Sequence, residues 1–300
     1  MGLFKRHLRR ASYELFSNHS HYVPGYGGMF LMFALFLAGA LLGNLITGIL
    51  AIFSTEFAAT YGTVISYPVM FIPPMLLASA QSRRNDVFET GYALDSNHFG
   101  SLGGFRMALT VSIATIATAF VADIFNSVMP PVPEWFEKAM EQLMNAPIWI
   151  TLISVSVFAP LFEEWLCRGI VLRGLLQKSS PAAAITVSAL FFAVLHMNPW
   201  QALPAFLLGL LFGYVYYKTG SLKLTMLMHC VNNTMATIFS KIPSLAEADS
   251  FKDVLSPWAY VCIFIACLTF IAGAATVLRN IPIAKDGARS NCDEIPPMSL

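Results

Sequence analysis

"FAPLFEEWLCRGIVLRG", residues 158–174, sets two adjacent carboxylates, Glu163 and Glu164, and a guanidinium, Arg168, inside an apolar run. The rest of the chain makes that placement unusual. Of its 300 residues, 56% are hydrophobic and 12% charged, and the mean hydropathy is +0.64, far from the composition of a water-soluble domain. The sequence predicts an all-α, polytopic membrane helix bundle. A charge at the centre of a bilayer costs at least about 2.5–3.5 kcal/mol on insertion scales, so such groups usually face a protein interior and mark a functional path.

About 20 apolar residues cross a hydrocarbon core of about 30 Å. On that ruler the sequence predicts eight membrane helices, near 28–53, 62–80, 104–124, 147–176, 182–197, 202–218, 222–240 and 256–278. No segment has the alternating pattern of a barrel strand, and lipid leaves the helix as the other way to satisfy a spanning backbone. The expected organisation is an N-terminal segment 1–27, an integral membrane domain 28–278 with its motif-bearing core at 147–240, and a polar tail 279–300. The run from Gly27 to Phe53 is too long for a signal-peptide core and reads as a retained helix. "PPVPEWFEKAMEQLMNAP", 130–147, spaces Trp135, Phe136, Met140 and Leu143 helically and predicts a helix lying along the interface.

With a cytoplasmic N-terminus, only Lys138, Lys241 and Lys252 of the 18 Lys and Arg residues fall on the outer side. That asymmetry supports cytoplasmic ends and an even number of spans. Net charge is +1, and the single basic run, "KRHLRR" at 5–10, speaks for a membrane surface and against a nucleic-acid partner. Five cysteines, with Cys167, Cys230, Cys262 and Cys267 in apolar segments and no C-x-x-C spacing, suggest packing rather than a disulfide framework or a zinc ribbon.

Six histidines are present, and only His196 and His229 lie in apolar segments. Glu164 and Arg168 are four apart on one helix face, suited to an ion pair that offsets their joint burial. Glu163 is turned by about 100° and points elsewhere. "HCVNN" places His229 and Asn233 on one face, and "FAVLH" does the same for Phe192 and His196. Taken singly, each has a bland alternative: an interhelical tie for Glu164 and Arg168, hydrogen-bond glue for His229 and Asn233, an interfacial position for His196. Their concentration between residues 163 and 233 favours a site. Ala205, Gly209 and Gly213 form a small-residue ridge read as close helix packing, and Thr219–Gly220 ends that helix. By helical rise, His196 lies about 22 Å along its helix from Pro181 and His229 about 10 Å along its own, so counting alone does not bring them level.

These residues resemble, in order, the motifs of the CPBP family, the CAAX proteases and bacteriocin-processing enzymes, also called Abi. E-E-x-x-x-R is similar to Glu163, Glu164 and Arg168; F-x-x-x-H to Phe192 and His196; the glycine-spaced helix ending in Thr-Gly to Gly209–Gly220; H-x-x-x-N to His229 and Asn233. The resemblance implies a glutamate-dependent intramembrane endopeptidase of a bacterial inner membrane, acting on a membrane-associated peptide or lipoprotein. Carried over, Glu163 with His196 activates a water, His229 with Asn233 stabilises the oxyanion, and Glu164 and Arg168 support them. No cofactor is expected. One Glu and two His, namely Glu163, His196 and His229, also make a conceivable zinc ligand set, which stays open. A non-catalytic immunity or scaffold protein and a proton-coupled transporter are the competing classes; the absence of paired broken helices or an inverted repeat speaks against transport.

Overall fold

The computed structural model describes residues 19, 22–83, 94–96, 99–246, 248 and 250–283. Each of the eight predicted apolar helices has its counterpart. α1 is Tyr26–Phe53, α2 Thr55–Ser82 and α3 Gly103–Ala122; after the largely exposed α4, Glu134–Asn145, come α5 (Ile148–Leu176), α6 (Pro181–Leu195), α7 (Pro199–Thr219), α8 (Leu222–Phe239) and α9 (Pro257–Arg279). Among the described residues there is no strand. Six helical segments among the described residues are long and apolar enough to cross a membrane: α1, α2, the stretch Gly100–Phe125 containing α3, α5, α7 and α9. The other two differ for physical reasons. α6 has only 15 residues, and α8 carries Lys223, His229, Asn232 and Asn233. The basic run 5–10, His7, His21, His98 and the tail from 284 lie outside the described residues.

α2 starts at Thr55, seven residues before the predicted 62, because Ser54 alone joins it to α1 and caps it, its hydroxyl accepting from Phe57 N at 3.1 Å. The pair is held close by "GALLG", residues 39–43. A Cβ at Gly39 would lie 2.2 Å from Met70 O, and one at Gly43 3.0 Å from Ser66 O. This seam fixes the height of α2 against α1.

α5 is the element around which the others gather, touching α2, α6, α7 and α8. Its backbone is π-helical over Leu152–Phe158 and Trp165–Leu172 and α-helical over Ala159–Glu164 between them. Such departures are rare and gather at functional sites, and the two glutamates sit where the winding changes. From Glu164 to Leu176 every residue is buried. At its far end Arg173 donates to the carbonyls of His19 and Tyr22, and a Cβ on Gly174 would lie 2.0 Å from Pro24 O, so the chain entering α1 runs directly across α5.

The small-residue ridge packs as expected, with Gly209 and Gly213 of α7 against Ala189 and Ile185 of α6. α7 ends at Gly220, whose φ of 63° is left-handed, and Ser221 caps α8. Residues 94–96 clamp this turn. Asp95 accepts from Leu222 N at 2.9 Å and pairs with Lys223, Ser96 donates its hydroxyl to Thr219 O, and Tyr216 donates its own to Leu94 O. The N-terminus of α8, and with it the level of His229, is thereby set.

Gly39→Ala should force α1 from α2 and lower the melting temperature by the equivalent of about 1–3 kcal/mol. Gly48→Ala, on the same helix where an added Cβ meets nothing within 4 Å, should be neutral or slightly stabilising. Thermal unfolding of the two purified variants makes the comparison.

Candidate active site

The Arg168 guanidinium lies at the centre, with none of its side chain exposed. Nη1 donates to Glu164 Oε1 at 2.7 Å, realising the spacing read from the sequence, and Nη2 donates to Gly209 O at 3.1 Å. Its flat faces meet Phe192 of α6 at 4.5 Å and Phe212 of α7 at 5.3 Å from the ring centroids. Gly209 thus serves twice, by admitting α6 and by leaving its carbonyl to the guanidinium. A planar fork suits this slot in a way that an ammonium would not.

Glu164 Oε1 is shared. It also lies 3.0 Å from His229 Nδ1, so α8 is tied to α5 through the carboxylate that Arg168 already holds. An oxygen paired with a guanidinium acts as acceptor, which makes Nδ1 the donor and turns Nε2 outward. There Nε2 lies 4.0 Å from Glu163 Oε2. Glu163 indeed points away from Glu164: its Oε1 accepts a hydrogen bond from the Tyr67 hydroxyl of α2, while Oε2 is buried without a hydrogen bond. The Glu163 side chain is 13% exposed, against 0% for Glu164. Oε2 lacks a hydrogen bond in both carboxylates, and only that of Glu163 belongs to a partly exposed side chain and faces His229 Nε2.

Asn233, one turn beyond His229, donates to Val155 O of α5 at 2.6 Å and accepts from Asn232 at 3.0 Å. One amide hydrogen is left uncommitted by these bonds. His196 ends α6. Its Nδ1 lies 3.0 Å from Phe192 O, and since a carbonyl can only accept, Nδ1 carries the proton and Nε2 is the free nitrogen of the neutral ring. No hydrogen bond joins His196 directly to Glu163 among the described residues. What brings the two histidines together is Phe192, whose ring meets His196 at 5.1 Å and His229 at 5.4 Å, edge to face in both cases. The mismatch in helical height is resolved because His196 leans back one turn onto Phe192, as helical side chains do.

Among the described residues no three His, Cys, Asp or Glu side chains converge as a metal-ligand set, Glu163, His196 and His229 included. Beside the turn holding His196 is a recess of about 680 Å³ lined by Pro130, Phe136, Glu137, Trp200, Gln201 and Lys252 among others. The turn itself contains Met197 at φ 53°, a left-handed conformation unusual for a residue with a side chain. Asn198 then caps α7 and donates to His196 O at 2.8 Å.

Residues 145–235 match the family model described as type II CAAX prenyl endopeptidase Rce1-like. The motif-bearing core is similar to that family. The matched stretch contains every motif residue from Glu163 to Asn233, in agreement with the CPBP resemblance, and supports an intramembrane endopeptidase in general terms. No curated protein and no solved structure matches the chain. Tyr67 lies outside the matched stretch, on α2. Sequence spacing had no means of finding it, because 96 residues separate it from Glu163; a hydroxyl-bearing side chain in an apolar helix was the only available signal.

Glu164→Ala would leave Arg168 buried with Gly209 O as its one remaining hydrogen-bond acceptor, and should destabilise the protein by about 3–5 kcal/mol. Lys138→Ala, which breaks a pair of the same i,i+4 spacing on exposed α4, should leave the melting temperature unchanged. Thermal melts of both variants separate a buried tie from a surface one.

Proposed function

We propose that the chain is an endopeptidase that hydrolyses a peptide bond in a membrane-associated peptide or lipoprotein by a metal-free, glutamate-based mechanism. The observation that carries this reading is the free, buried Oε2 of Glu163, 4.0 Å from His229 Nε2 and beside a second carboxylate already neutralised by Arg168. A water at about 2.8 Å from a carboxylate oxygen is in place to lose a proton to it. In this reading Glu163 takes that proton, the hydroxide adds to the scissile carbonyl carbon, and the carbonyl oxygen becomes the oxyanion. His196 Nε2 accepts the hydrogen bond of the water's other proton. Collapse of the tetrahedral intermediate breaks the C–N bond, and the proton held by Glu163 passes to the leaving amine.

His229 and Asn233 supply the oxyanion donors. For Nε2 to donate while Nδ1 donates to Glu164, the ring must be an imidazolium. Two carboxylates, one guanidinium and one imidazolium are then electrically neutral together, which suits a site enclosed by Phe192 and Phe212. The Rce1-like match spans this constellation, which is why peptide hydrolysis is preferred to a scaffold role.

Purified protein in bilayer discs, offered membrane-anchored peptides with and without a prenyl group, provides the test. Cleavage should fall by about 10²–10⁴-fold in Glu163→Gln, and by about 10²-fold or more in His229→Ala and Asn233→Ala. Equal cleavage by wild type and Glu163→Gln would overturn the assignment. Activity should persist in chelator; a loss restored by added zinc would replace the metal-free mechanism with a metal-dependent one.

A further inference from the structure

Glu163 has a second neighbour that the motif-bearing core does not contain. The Tyr67 hydroxyl, on α2, donates to Glu163 Oε1 across the interface between α2 and α5. A glutamate's terminal torsion is broad and nearly two-fold, so an unheld carboxylate would exchange its two oxygens freely. With Oε1 engaged, Oε2 is the oxygen directed toward His229 Nε2.

The phenol is itself firmly placed. Its ring lies 5.8 Å from Phe71, which has no exposed surface and stacks at 5.2 Å and 16° on Phe162, the residue preceding Glu163. Backbone constraints bracket it. Ser66 and Met70, on either side of Tyr67, are the two residues against which Gly43 and Gly39 of α1 are pressed. The glycine seam therefore fixes the register of α2 at the turn that delivers the hydroxyl.

We infer that Tyr67 is a positioning residue for hydrolysis, holding Glu163 Oε1 so that Oε2 alone faces the water and the scissile carbonyl. The inference rests on the hydrolytic reading above and extends the working site to the α1–α2 hairpin, outside the Rce1-like stretch. The hairpin thereby gains a part in the chemistry, with α1 supporting α2 and α2 orienting the base. A buried tyrosine that merely satisfies its own hydroxyl would predict something different, namely a change in stability without a selective change in turnover.

Tyr67→Phe removes one oxygen and keeps the ring stack. In the bilayer-disc assay, kcat should fall by about ten- to a hundredfold, the scale expected for a small misplacement of a reacting group. KM should stay within about twofold, since uniform binding is untouched. The second readout does not need activity: with 13C-labelled glutamate, the infrared carboxyl band that disappears in Glu163→Gln should shift when Tyr67→Phe is introduced. An unmoved band, or a wild-type kcat in Tyr67→Phe under conditions where Glu163→Gln is inactive, would overturn the inference. Failure of the hydrolytic reading is visible separately, as wild-type cleavage by Glu163→Gln before Tyr67 is varied.

Discussion

A guanidinium with no access to solvent is the constraint on which the structure turns. Arg168 can remain in the bundle only if its charge is answered, and the answers come from different elements: Glu164 on its own helix, Gly209 O on α7, and the faces of Phe192 and Phe212 on α6 and α7. Because Glu164 also receives His229, α8 is drawn into the same set. Four helices are thus registered by one side chain and its counter-ion. Any slip of α6, α7 or α8 along α5 would strand a buried charge.

The same arrangement divides labour between neighbouring residues of one type. Glu163 and Glu164 are chemically identical, and the turn of the helix separates their surroundings. Glu164 gathers Arg168 and His229 on Oε1 and keeps its Oε2 sealed from solvent without a hydrogen bond, whereas Glu163 meets a phenol on one oxygen and, in a partly exposed side chain, turns the other toward His229 Nε2. A pair of carboxylates within one helical turn gives both a strut and a candidate base without a second helix having to carry either.

Much of this was legible in the sequence where information is local. Hydropathy located all eight helices, and i,i+4 spacing anticipated the Glu164–Arg168 pair and the shared face of His229 and Asn233. The α2 start was missed because a single capping serine, Ser54, does the work of a loop. Height along parallel helices failed to align His196 with His229, since the contact is made by side chains leaning onto Phe192 and not by residues at equal rise. The π-helical winding of α5 has no simple signature in residue types, and the Tyr67–Glu163 bond joins residues whose proximity depends on the whole packing of α2 against α5.

The shortness of α6 bears on the supply of water. Fifteen residues rise about 22 Å, some 8 Å less than a hydrocarbon core of about 30 Å, so one end of α6 falls short of a headgroup region. The non-helical turn after Leu195, with His196 and the left-handed Met197, is not a structure that lipid tails can surround. Hydrophobic mismatch of this kind is relieved by local thinning of the bilayer or by a hydrated inlet, and the recess beside Trp200 and Gln201 adjoins that turn. Either form of relief would bring water to the level of that turn, so that the shortness of α6 offers the proposed hydrolysis a source of its reagent.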